Sequence, residues 1–102
     1  MARTPFACAF DEKTHTLTVA GDVDEAAALE LRRQLTTLTR GDAGTLVMDL
    51  SSVRSLPSAA VGVIAAARAG ARAHFTTVTL VASPGSIARR VLPRFGMTVQ
   101  DA

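Results

Sequence analysis

Residues 46–73 read LVMDLSSVRSLPSAAVGVIAAARAGARA, and this stretch constrains the fold more than any other. A nearly all-apolar run, 45–50, has the look of a strand that lies mid-sheet and is covered on both faces. After Asp49 and a serine-rich loop, the period changes at Ser58 to that of a helix, with Val61, Ile64 and Ala65 on one face. Ala60, Ala67 and Ala71 are small enough to pack closely on strands. Ser58 then stands where a helix opens. A hydroxyl there caps the helix, at about 1 kcal/mol, or presents itself at the positive end, where free backbone N–H groups stabilise a phosphate.

The flanking segments supply the rest of the sheet. Residues 6–10 alternate weakly, 14–20 (THTLTVA) alternate around Leu17 and Val19, and Asp11, Glu12 and Lys13 make a hairpin turn between them. Gly21 breaks the second strand. DVDEAAALELRRQLTTLT follows as a helix, capped by Asp24, with Ala28, Leu31, Leu35 and Leu38 forming an apolar stripe. Gly41 and Gly44 bracket a loop. Residues 76–81 return to a buried strand pattern, Ser83, Pro84 and Gly85 turn the chain, and Ser86 caps a last helix whose face is Ile87, Val91 and Phe95. Pro93 ends that helix near Leu92. The implied order is β-β-α-β-α-β-α: an α/β chain, one domain over 1–102, with a mixed four- to five-stranded sheet and helices mainly on one face.

Composition narrows the function classes. The longest apolar run, 59–67, is far short of the roughly 20 residues of a membrane span, and MARTPFACAF lacks a long apolar signal segment. A single cysteine, Cys8, forms no internal disulfide and reads as a buried strand residue, so a reducing cytoplasm is expected. The net charge is +2, but ten arginines accompany no Trp and no Tyr, thin material for stacking on nucleic acid. Residues 1–50 hold five basic and eight acidic side chains, and 51–102 hold six and one, so the surface is polarised. Arg68 with Arg72, and Arg89, Arg90 and Arg94, either steer an acidic protein or solvate two helices. His15, His74, Ser58 and Asp49 show no catalytic spacing, and two histidines with one cysteine do not fill a four-ligand zinc site. No enzyme activity, cofactor, metal, membrane or nucleic acid is expected.

Three spans resemble one family. LTVAGDVDEAAALELRRQL, LVMDLSSVRSLPSAAVGVI and VTLVASPGSIARRVLPRFGM are similar to the STAS domain, the sulfate-transporter and anti-sigma-factor-antagonist module, over residues 6–98. Gly21, Asp22, Val23 and Asp24 match its Gly-x-hydrophobic-Asp turn, and Asp49, Leu50, Ser51 and Val53 its D-L-S-x-V segment. Free-standing members commonly read Asp-Ser-Ser/Ala-Gly before the next helix, and their first serine is phosphorylated by a kinase that is also the anti-sigma factor. Aligned on Val61, Gly62 and Val63, Ser58 takes that serine's place, whereas Pro57 replaces Asp and Ala60 replaces Gly. The resemblance implies an anti-sigma factor antagonist that docks through Asp24, Pro57, Ser58, Ala59 and Val61 and is released by phosphorylation of Ser58, with a phosphatase to reverse it. Its alternative is an unphosphorylated interaction module in a signalling or transport assembly. Ser51, Ser52 and Ser55 are competing acceptors on the loop, better read as turn residues.

Overall fold

Five strands form one sheet in the order β1-β2-β3-β4-β5, each beside its neighbour in sequence. The computed structural model describes residues 4–40 and 44–102; Gly41 and the loop it was expected to open lie outside them. β1 (Ala7–Asp11) pairs antiparallel with β2 (Thr16–Asp22), and β3 (Gly44–Ser55), β4 (Thr76–Ala82) and β5 (Val99–Asp101) continue parallel to β2. Helices α1 (Glu25–Thr39), α2 (Ser58–Arg72) and α3 (Ile87–Val91) make the connections, with a 3-10 helix, Leu92–Phe95, after α3. The expected order is therefore present, with a fifth strand at the edge.

Side-chain alternation decides which face the helices cover. Leu17 and Val19, then Leu46, Met48 and Leu50, then Val78 and Leu80 are buried in one core with Leu31, Leu35, Ile64 and Leu92 from the helices. Between them, Thr18 and Thr77 are exposed, and Val47, Asp49 and Val81 half-buried, on the open face. β3 is central, as expected, but is not covered on both faces. Val47 needs no second helical layer because it lies between Thr16 and Thr79, where cross-strand contacts shield a β-branched side chain.

β3 also runs past Leu50, so Ser51, Ser52 and Ser55 belong to a strand and not to a loop. Thr18 opposes Asp49 while Ala20 opposes Ser52, which places one extra residue in β3. At this bulge the Asp49 carboxylate accepts the Ser51 N–H at 3.0 Å, giving it a partner that the irregular ladder does not. Gly21 likewise lies inside β2 instead of ending it. Its φ of +86° suits glycine, and residues 4 and 5 pass over it: the Asp22 N–H donates to the Thr4 carbonyl and the Thr4 N–H to the Asp22 carboxylate, each at 2.9 Å.

Asp24 caps α1 as expected, and Ala28, Leu31 and Leu35 face the core, with Leu38 half-buried. Within α2, Ala60, Val61, Ile64 and Ala71 are buried; Ala65 turns outward. Ser86 caps α3, its hydroxyl accepting the Arg89 N–H at 3.3 Å. That helix is shorter than its expected face requires. Pro93 forces a tighter turn, so Ala88 and Leu92 point inward, Ile87 and Val91 are half-buried, and Phe95 is exposed. Gly96, at φ +79°, then releases the chain into β5, and Arg89 pairs with Asp101.

Two glycines should respond oppositely to substitution. A Cβ at Gly21 would lie 2.0 Å from the Pro5 carbonyl oxygen, so Gly21→Ala is expected to lower unfolding free energy by roughly 2 kcal/mol or more. A Cβ at Gly62, in α2, meets nothing within 4 Å, and Gly62→Ala should raise stability by up to about 1 kcal/mol. Denaturant titration of both variants checks the pair.

Candidate functional site

Parallel pairing brings the helix starts together at one end of the sheet. Asp22 is opposite Ser55, and the Val23 N–H donates to the Ser55 carbonyl at 3.4 Å, so β2 and β3 deliver α1 and α2 from adjacent positions. β4 leaves at the same end. There the Ser83 N–H donates to the Ser51 hydroxyl at 2.8 Å, and the two hydroxyls are 3.1 Å apart. Ser83 was expected only as a turn residue; its tie to Ser51 has no short-range sequence signal.

The α1 and α2 N-termini are built differently. Asp24 is half-buried, and its carboxylate accepts the Ala27 N–H at 2.9 Å. On α2 the cap position belongs to Pro57, with φ −68°, and no side chain bonds back to the helix. Ser58 is the first helical residue, so the expectation that it serves as the N-cap is corrected. The reason is geometric: Pro57 already has the extended conformation of a cap, and its carbonyl accepts the N–H groups of Ala60 and Val61 at 2.9 and 3.1 Å. The amides of Ser58 and Ala59 find no acceptor among the described residues, and the Ser58 hydroxyl is likewise unengaged.

Of the residues expected to meet a partner, Pro57, Ser58 and Ala59 are exposed and contiguous, and Asp24 stands half-buried at the same end. Val61 is different. At 3% exposure it packs in the core, so it holds α2 on the sheet and presents nothing outward. Of the competing serines 51, 52 and 55, all in β3, Ser51 is occupied by Ser83, and none of the three heads a helix. His15, in the hairpin turn edge-on to Phe10 at 5.6 Å, and His74, just past α2, are at the opposite end from Ser58. The 15 residues of α2 span about 22 Å, so no Ser58–His pair forms. Among the described residues no group of three or more His, Cys, Asp or Glu could hold a metal, and no helix is long and apolar enough to cross a membrane.

Cys8 is half-buried on β1 rather than buried. Burial, and secondarily the negative charge of Glu30, push its thiol pKa up.

This fold, with its helix starts gathered at one sheet end, is that of the STAS domain. A family model described as "Mlab, STAS domain" matches residues 6–98, and the chain belongs to that family. In structure it is similar to an anti-sigma factor antagonist from Mycobacterium paratuberculosis, with a TM-score of 0.79 at 17% identity, over 96% of this chain and 87% of that one.

Asp24→Ala should cost about 1 kcal/mol of stability through loss of the α1 cap, whereas Ser58→Ala should stay within about 0.5 kcal/mol of the parent. Thermal unfolding of the two variants compares them directly. For Cys8, iodoacetamide alkylation should rise with a midpoint above the ordinary thiol pKa. Glu30→Gln should move that midpoint down, because removing a nearby negative charge favours the thiolate.

Proposed function

We propose that this STAS domain acts as an anti-sigma factor antagonist: it docks on a kinase-type anti-sigma factor through the surface around Pro57, Ser58 and Ala59, and phosphorylation of Ser58 releases it. The observation that carries this reading is the exposed Ser58 hydroxyl in the first turn of a 15-residue helix, unengaged among the described residues and next to two amides that find no acceptor among them. A phosphate at that position adds a charge of about −1.5 to −2. Its own domain tolerates that charge, because the helix N-terminus offers donors and a favourable dipole. A partner pressed against the same surface would have to desolvate it. Leaving such a charge unpaired in an interface costs several kcal/mol, and each 1.4 kcal/mol is tenfold in affinity, so one phosphate is enough to end binding without refolding the domain.

A second reading keeps the docking surface and removes the switch. Pro57 favours it, since a proline stands where free-standing antagonists commonly carry the aspartate that precedes the phosphorylated serine. The domain would then bind its partner constitutively in a signalling or transport assembly.

Incubation with ATP and a kinase-type anti-sigma factor, followed by intact-mass analysis and site mapping, separates the two. The switch predicts stoichiometric phosphate on Ser58 and an affinity loss on the order of a hundredfold, which Ser58→Asp reproduces in part. If no phosphate is taken up and Ser58→Asp binds like the parent, the constitutive module stands in its place.

A further inference from the structure

The outward side of α2 forms a groove with the C-terminal half of α1, of about 600 Å³. Among the described residues its charge is one-sided: Arg32 and Arg40 on α1 line it with His74 beyond α2, no Asp or Glu does, and neither arginine has an ion-pair partner. Arg68 and Arg72 extend the basic character to the other flank of α2. Phe75, 82% exposed, follows His74 directly.

The floor is made by Ala59, Gly62, Ala66 and Gly70. Both glycines are sterically idle within this chain: a Cβ at either would meet no atom within 4 Å, yet each costs about 1 kcal/mol of helix stability against alanine. Apart from the half-buried Val63, only small side chains therefore face the groove along the 11 steps from Ala59 to Gly70, about 16 Å or three turns. Such a surface lets a second backbone approach closely. An extended peptide gains little here, because both helices already satisfy their own backbone groups and offer no strand edge; a helix brings its own hydrogen bonds with it.

We propose that this groove receives an acidic amphipathic helix of a protein partner, with small or apolar residues against Gly62, Ala66 and Gly70 and carboxylates on Arg32 and Arg40. The inference deepens the docking reading above and rests on it for the premise that α2 meets a protein. The groove starts at Ala59 and runs away from Ser58, so one partner can engage both.

Two labelled helical peptides of about 15 residues, sharing an Ala/Leu stripe and flanked by Glu in one and Lys in the other, test the groove by fluorescence anisotropy with the whole chain. The Glu peptide should bind, the Lys peptide should not, and added salt should weaken binding. Arg32→Glu with Arg40→Glu should lower affinity at least about tenfold. Gly62→Leu should abolish binding while leaving the melting temperature unchanged or higher, since Leu is the better helix former. The proposal is overturned if neither peptide binds, if both bind alike, or if Gly62→Leu has no effect while Arg90→Glu with Arg94→Glu removes binding. Single-stranded DNA binding as tightly as the Glu peptide would also overturn it, as diffuse attraction of polyanions. No anti-sigma factor and no kinase step enters the assay, so its failure leaves the Ser58 reading intact, and the reverse holds.

Discussion

β3 is paired in parallel on both sides, to β2 and to β4, and that arrangement dictates where everything else goes. Parallel neighbours require each connection to cross back over the sheet, and right-handed crossovers place successive helices on the same face. Hence α1 and α2 lie side by side above the core, and their N-termini emerge beside each other at the carboxyl ends of the strands. The bulge at Ser51 refines the geometry. By taking up one extra residue there, with Asp49 satisfying the freed N–H, and a second between Val53 and Ser55, β3 continues to Ser55 and delivers Pro57 and Ser58 beside the start of α1.

Much of this was legible in the sequence because period and capping are local. The stripe of Ala28, Leu31 and Leu35, the caps Asp24 and Ser86, and the centrality of β3 all follow from residues within a turn or two of one another. Gly21 reads as a strand break for the opposite reason: its left-handed backbone serves a crossing by residues 4 and 5, some sixteen positions away, and nothing nearby in sequence announces that. The serines after Leu50 read as a loop because serine is a turn former, whereas pairing with β2 and the hydroxyl contact with Ser83 keep them in the sheet. β5 is three residues long and exists only because β4 offers an edge.

The candidate site was half legible. Its position, an exposed serine in the first turn of α2, was readable from the change of period at Ser58. The chemistry of that turn was not, since whether Ser58 caps the helix depends on the conformation of Pro57. Val61 illustrates the converse limit. It matches the family pattern that implies a contact residue, yet it falls on the buried stripe of α2.

Three helices begin near this end, and two of them follow the usual physics: Asp24 and Ser86 each accept an N–H from the first turn. A cap of that kind is worth about 1 kcal/mol, and α2, which connects β3 to β4, forgoes it. Proline supplies the dihedral angle of a cap without an acceptor, so the turn is fixed in shape while its first two donors stay open. An aspartate at position 57 would add a side-chain acceptor for one first-turn amide, as Asp24 does for Ala27, at the same time restoring the carboxylate common in free-standing antagonists. Pro57 thus trades local stability and that carboxylate for a pre-shaped, unsatisfied N-terminus directly under Ser58. Pro57, which stands where free-standing antagonists commonly carry aspartate, leaves the start of α2 shaped as a cap but without a carboxylate among its first-turn donors.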